Sequence, residues 1–331
     1  MKSTKHLIMS TASLTLMIGM LLSACGANPS IIESPAASSA SSVQPSTEAD
    51  AAAQTRTYTD SKGHTVEIPV EAKRIIYTGS DIGDILALGI KPVGAALGII
   101  KDQVAFPELL DGIEDVGDLL GDAEKITALD PDLILLDSGG TYYEEGAFDT
   151  LSKIAPTLTY DRLDTNERLR MLGDIVGKEQ QAEEWIASYD AKAKEVAAKL
   201  NIQTGESASV FLLLGKDFYV MGDKSFAATL YHTLGYKPTE EIQKNLIDAN
   251  EQFSNISSEL LPDFAGDWLF VLTDEDDAER SAADSYAQSA IWKSIPAVKN
   301  GQVIYLPTKW NFSDPITMER LLDQLPAIMN K

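Results

Sequence analysis

The sequence predicts an α/β fold of two lobes, each with a parallel central sheet, joined by one long rigid helix. Three observations carry this. Short apolar runs alternate with amphipathic stretches, one amphipathic segment of unusual length sits mid-chain, and short motifs recur on either side of it.

The strand signals are apolar runs bounded by turn residues: Arg74–Tyr77, Val93–Ala95, Leu133–Leu136, Thr157–Tyr160, Val210–Leu214, Trp268–Leu272 and Val303–Leu306. Helical stretches lie between and after them at Asp81–Leu88, Ala123–Ala128, Asn166–Val176, Phe226–Leu234 and Pro315–Met329. Alternation of this kind covers both faces of a parallel sheet with helices.

Glu179–Leu200 carries apolar or small residues at Ala182, Trp185, Ile186, Tyr189, Ala193, Val196, Ala197 and Leu200, the spacing of one helical face. Gly177 closes the preceding helix, and Asn201 with Gly205 closes this one. At 1.5 Å per residue the segment spans roughly 33 Å, about one small domain, so it can act as a stiff spacer. Leu88-Gly89-Ile90-Lys91-Pro92 before it recurs as Leu234-Gly235-Tyr236-Lys237-Pro238 after it. Glu124 precedes Asp132 by the same spacing that separates Glu259 from Asp267, and each Asp opens a strand run. These matches imply two lobes of like topology, with Glu124 and Glu259 at equivalent positions.

The N-terminal residues 1–24 carry Lys2 and Lys5, no acidic residue, and an apolar stretch from Leu14 to Leu22. That is the pattern of a secretory signal, too short for a stable transmembrane span. It ends in Leu22-Ser23-Ala24-Cys25-Gly26, which resembles the lipobox of bacterial lipoproteins and implies diacylglycerol on Cys25 after cleavage. Cys25 is the only Cys of 331 residues, so it has no internal disulfide partner. Ser, Ala and Pro dominate the following residues. Such a segment buries too little apolar surface to offset its ordering entropy, so 25–56 reads as a lipidated, flexible stalk. About 30 such residues place the folded part roughly 30 Å from the lipid. The folded part then divides into an N-terminal lobe at 57–178, the interlobe helix at 179–201 and a C-terminal lobe at 202–331.

The chain holds 27 basic and 50 acidic residues, net −23. No polybasic stripe occurs, which argues against nucleic acid as a partner. Of three histidines, His6 leaves with the signal, so only His64 and His232 remain and no Cys joins them. A protein-built zinc or copper site is therefore not expected, and neither is any other resident cofactor.

Several segments, in order and spacing, together carry a resemblance. They are Tyr58 to Pro69, Lys73 to Ile76, Leu86 to Gly94, Leu129 to Ile134, Lys153 to Thr157, Leu172 to Glu179, then Trp292, Ala297 to Gly301, and Trp310-Asn311-Phe312-Ser313-Asp314-Pro315. Over roughly residues 57–330 the chain resembles the substrate-binding proteins of iron–siderophore ABC importers, in the helical-backbone class (class III) that also contains the cobalamin binders. The resemblance implies two α/β lobes on one long helix, with a ferric siderophore held in the cleft between them. It implies that the chelator, not the protein, holds the iron. It also implies a monomer delivering cargo to a membrane permease driven by a cytoplasmic ATPase. Family members present one glutamate per lobe to arginines of the permease, and the matching positions are Glu124 and Glu259.

Ligands of open α/β sheets sit outside the carboxyl ends of strands. The residues expected there are Ser80, Tyr142, Tyr143, Lys216, Phe218, Lys309 and Trp310, with Lys224 in a loop matching the family's pocket. The Trp310 segment matches a pocket-lining stretch of hydroxamate-siderophore binders, although Trp310 packing the last strand against helix 315–329 is the plain alternative. Hydroxamate binders often carry an Arg after the Gly-Asp step, where this chain reads Gly222-Asp223-Lys224-Ser225-Phe226. Lys224, Lys216, Lys309, Arg162 or Arg168 is then left to supply positive charge. Few basic residues in the expected cleft favour hydroxamate or mixed citrate-hydroxamate ligands over catecholates.

Other readings stay open. Cobalamin or haem would suit the same fold, with Tyr142 or Tyr143 as an axial haem ligand. A sensory lipoprotein would bind ligand without a permease. An extracellular hydrolase would need a nucleophile elbow or a triad built on His64 or His232, and no Gly-x-Ser-x-Gly occurs. No catalytic residue is expected.

Overall fold

The computed structural model of the protein describes residues 54–139, 143–161, 163–274, 283 and 285–329. The signal, Cys25, most of the stalk, Tyr142 and Arg162 lie outside the described residues. The described chain opens with β1 (Thr55–Thr59) and β2 (Thr65–Pro69), paired as an antiparallel hairpin. Asp60 closes its turn. It accepts hydrogen bonds from His64 N at 2.8 Å and from Thr159 N at 2.9 Å, which fastens the hairpin to the edge of the first sheet.

That sheet contains β3 (Ile75–Tyr77), β4 (Gly94–Ala95), β5 (Glu114–Asp115), β6 (Leu133–Asp137) and β7 (Thr157–Tyr160). All its pairings are parallel, in the order β5-β4-β3-β6-β7. Helices α1 (Gly83–Ala87), α2 (Ala123–Ala128), α3 (Glu145–Leu151) and α4 (Thr165–Val176) lie between and after its strands. Leu133, Ile134, Leu135 and Leu136 have no exposed surface, as both faces of a covered parallel sheet require.

The second sheet follows α5 (Glu179–Leu200). It contains β8 (Ala208–Leu214), β9 (Asp217–Met221), β10 (Phe253–Ile256), β11 (Trp268–Leu272) and β12 (Val303–Leu306), in the order β10-β9-β8-β11-β12. β8, β11 and β12 are parallel, but β9 runs antiparallel between β8 and β10. The reason is local. Only Gly215-Lys216 separate β8 from β9, and Gly215 takes a left-handed φ of 60°, so the chain reverses instead of crossing over. The second sheet is therefore mixed where both sheets were expected to be parallel.

The two sheets are closed off alike. Asp132 at the start of β6 accepts from Lys73 N (2.8 Å) and Arg74 N (2.9 Å), just before β3. Asp267 at the start of β11 accepts from Ser207 N (2.8 Å), just before β8. The internal repeat is thus a shared structural device.

α5 divides its buried face between two cores. Ala182 and Ile186 pack with the first lobe, and Tyr189, Ala193 and Val196 with the second. A second helix, absent from the sequence-based account of the lobe junction, does the same. The C-terminal helix Pro315–Met329 sets Ile316 against the first core and Leu321, Leu322 and Leu325 into the second. Lys192 of α5 joins it through Glu319 (2.8 Å) and Asp323 (2.9 Å).

Arg168 of α4 anchors the entry to that helix. Its guanidinium, 2% exposed, donates to Asp84 Oδ2 at 2.6 Å and Oδ1 at 2.9 Å, and to the Ser313 carbonyl at 3.0 Å. Tyr77 Oη donates to the same Asp84 at 2.9 Å, and Thr165 Oγ1 to Ser313 O at 2.7 Å. Arg168 is therefore engaged by buried partners within the fold, which corrects the expectation that it could serve a ligand. Asp314 beside it is fully buried and caps the C-terminal helix through Thr317 N (3.0 Å) and Thr317 Oγ1 (2.7 Å). α1 approaches so closely that a Cβ on Gly83 would stand 1.8 Å from Asp314 Oδ1, so only glycine fits there.

Burial first, then the charge of Asp81, raises the Asp314 carboxyl to about 7. The folded state thus binds this proton more tightly than the unfolded state does. The resulting stabilisation is complete below about pH 4 and is lost as pH rises through the folded value. Urea midpoints measured from about pH 5 to pH 8 should fall with rising pH, and fall less steeply in Asp314→Asn. Equal slopes would refute the assignment.

Candidate functional site

Concavities lie at the carboxyl ends of strands in both lobes. In the second lobe, Leu212, Leu214, Tyr219, Met221, Gln252, Phe253 and Asn311 line a space of about 380 Å³. The period-2 alternation of β8 and β9 builds it. Phe211, Leu213, Phe218 and Val220 point into one core, while Leu212, Leu214, Tyr219 and Met221 face the other way. Tyr219 and Phe253 meet edge to face at 5.8 Å across the β9–β10 pair. Leu214 and Phe253 are 47% and 49% exposed, far more than ordinary core residues. No lining residue here is charged.

In the first lobe, Ile99, Gly117, Asp118, Leu119, Leu120, Gly121, Asp122 and Lys125 line a space of about 580 Å³ after β4 and β5. Asp122 is occupied as the cap of α2, accepting from Glu124 N at 2.9 Å and Lys125 N at 3.0 Å. Glu124 therefore adjoins this concavity, and its side chain is exposed. Glu259, also exposed, lies in the 3-10 turn Ser258–Leu260 that leads to β11, as α2 leads to β6.

The remaining expected residues are distributed unevenly. Phe218 is 3% exposed and packs against Trp292 (5.8 Å), Tyr286 (4.6 Å) and Phe211 (6.1 Å). This corrects its assignment to the ligand face: it points to the opposite side from its neighbour Tyr219. Trp310 is also 3% exposed and packs in the second core with Leu321, Leu322 and Leu325, the plain alternative weighed for it; Asn311 beside it lines the concavity. Lys309 is half-buried, with Nζ 5.4 Å from the Trp310 ring centre. Lys216 is exposed at the tip of the β8–β9 hairpin, where its carbonyl accepts from Tyr286 Oη at 2.9 Å. Lys224 is exposed before helix α6 (Ser225–Ala228), with Asp223 3.9 Å from its Nζ. Ser80 is half-buried in the loop after β3. Tyr143 packs against the buried cluster that contains Ile134, Leu136 and Leu151, and Lys62 of the N-terminal hairpin stands 5.5 Å from its ring centre.

Both histidines have structural partners. His64 Nδ1 lies 2.8 Å from Asp60 Oδ2, and its ring stacks on Phe148 at 3.6 Å. Burial pushes the Asp60 carboxyl up, but hydrogen bonds from Thr159 and His64 outweigh it and hold it below the ordinary range. His232 is largely exposed, 3.4 Å from Asp223. No group of three or more His, Cys, Asp or Glu able to hold a metal occurs among the described residues.

Residues 75–309 match the family model described as periplasmic binding protein. The chain belongs to that family. It is 34% identical over 290 residues to the iron(3+)-hydroxamate-binding protein FhuD of Bacillus subtilis (strain 168), covering 84% of this chain and 88% of FhuD. Among solved structures it is similar to a FhuD fold-family periplasmic binding protein component of a Fep/Fec-like ferrichrome ABC transporter from Bacillus subtilis. That match has a TM-score of 0.71 and 32% identity, and covers 83% of this chain and 100% of that one. FhuD2 from Staphylococcus aureus with bound ferrioxamine B matches with a TM-score of 0.65 and 25% identity, over 78% of this chain and 98% of that one. The family is one of transporter binding components and not of enzymes, in keeping with the two histidines' structural roles.

Sequence reasoning missed Tyr219, Phe253 and Asn311. Alternation along β9 would have revealed Tyr219 once Phe218 was placed inside. Truncating Phe218 to Ala should lower unfolding free energy by about 3–5 kcal/mol, and Tyr219→Ala by about 1 kcal/mol or less. Urea denaturation checks the difference, and comparable losses would place both side chains in the core.

Proposed function

We propose that this protein captures a ferric siderophore of hydroxamate type and delivers it to an ABC permease in the membrane that anchors it. The observation that carries the hydroxamate choice is the second-lobe concavity, which is aromatic and aliphatic, with amide side chains and no charge. A ferric tris-catecholate bears a large negative charge and needs cations to offset its desolvation. A ferric tris-hydroxamate core is neutral and suits such a wall. Tyr219, Phe253 and Leu214 supply contact area on one side of the cargo, and Leu119, Leu120 and Ile99 on the other. Ser80, Lys309 and Lys224 are polar groups available to the periphery of the cargo, and Lys309 keeps its charge over the Trp310 face.

Delivery rests on Glu124 and Glu259, exposed at equivalent positions of the two lobes. A permease reading both carboxylates reads lobe spacing as well as charge. Lipid on Cys25 keeps the protein close to that permease at high effective concentration, and the stalk lets it turn.

Calorimetric titration with a panel of ferric siderophores tests the cargo. Ferric trihydroxamates should bind at micromolar or tighter Kd, and a ferric tris-catecholate at least about tenfold more weakly. The reverse ranking would overturn the hydroxamate assignment. Radio-iron uptake tests delivery. A Glu124→Ala/Glu259→Ala variant should keep ligand affinity and lose most uptake, and Cys25→Ser should release the protein into the medium. Normal uptake by the double variant would remove the docking role.

A further inference from the structure

Asn311 is fixed from both sides. Trp310 before it is buried in the second core, while Phe312 after it packs against the first. Two residues on, the Ser313 carbonyl is held by Arg168 and Thr165, and Asp314 is sealed at the start of the C-terminal helix. Thr308, at the other end of the same turn, donates its backbone N–H to Asp274 at 3.1 Å. The Asn311 backbone is therefore held in place before any cargo arrives.

Its side chain lines the uncharged concavity, and its Oδ1 is buried with no hydrogen-bond partner among the described residues. A buried acceptor without a donor is costly to desolvate, so native structures seldom keep one unless a ligand or water completes it. The nearby wall is mostly hydrocarbon and aromatic ring. Every oxygen of a ferric hydroxamate centre is an acceptor or an iron ligand, so the centre itself offers no donor to Asn311. A donor borne by the cargo therefore has to come from the chain that links the hydroxamates.

We propose that Asn311 is a specificity-determining residue whose Oδ1 accepts a hydrogen bond from a secondary-amide N–H in the linker of a ferric hydroxamate. This rests on the ferric-hydroxamate reading above and narrows it to amide-linked chelators. An ester-linked trihydroxamate presents the same iron centre without that N–H, and leaves Oδ1 unpaired.

Calorimetry on the full folded protein, with the ferric complexes of one amide-linked and one ester-linked trihydroxamate, tests the assignment. Asn311→Leu should weaken the amide-linked complex roughly tenfold and change the ester-linked one by less than about twofold. Asn311→Asp keeps an acceptor at the same place and should hold the amide-linked affinity within about threefold of wild type. Thermal melts of both variants establish that they fold. Equal losses for both chelates in Asn311→Leu, no loss for either, or an Asn311→Asp loss as large as that of Asn311→Leu would each overturn the role of Oδ1. Wild-type protein that binds neither chelate overturns the ferric-hydroxamate reading itself, and this assignment with it.

Discussion

A guanidinium withdrawn from water is tolerable only where its donors meet acceptors and its charge meets a carboxylate. Arg168 has both. Asp84 takes two of its N–H groups, and the carbonyls of Ser313 and Leu163 take others at 3.0 and 3.2 Å. The three elements so joined are α1, α4 and the chain segment leading into the C-terminal helix. Much else follows from that joint. The segment from Thr308 to Asp314 runs from the end of β12 in the second lobe to an anchor on the first, and Asn311 lies within it. Removing one partner would leave the other charge buried and alone, which is far more damaging than losing a surface pair.

The joint also changes the mechanical picture. A single long helix between lobes bends little, and here two helices lie across the junction. α5 contributes apolar residues to both cores, and so does the C-terminal helix. Arg320 of that helix donates to the Ala105 carbonyl at 2.9 Å and pairs with Glu108, adding a polar tie to the loop after β4. Lobe motion in such an arrangement is limited to small adjustments, because two packed helices would have to shear together.

Charge is divided sensibly between surface and site. The chain is strongly acidic overall, yet the second-lobe concavity carries no charge. The lysines expected to offset a ligand's charge are taken up elsewhere in part: Lys309 lies over Trp310, and Asp223 stands beside Lys224.

The sequence by itself determined the local and periodic features. The alternation of strands and helices, the single apolar face of Glu179–Leu200, the stop at Gly177 and the paired Glu–Asp spacing all depend on near neighbours, and each appears in the structure. The spacing proved informative because Asp132 and Asp267 each accept from a backbone N–H just before the neighbouring strand. Only the tertiary structure decided which way a strand residue faces and which lobe a distant helix touches. Phe218 and Tyr219 are both aromatic neighbours on one strand, and composition does not separate them; the packing of Trp292 and Tyr286 on one side does. Arg168 looked free to meet a ligand, but Asp84 and Ser313, far away in sequence, take three of its N–H groups. The crossing of the C-terminal helix and the position of Asn311 likewise come from contacts between residues widely separated along the chain. Periodicity records a residue's neighbours along its own element, and such long-range contacts leave no mark in it.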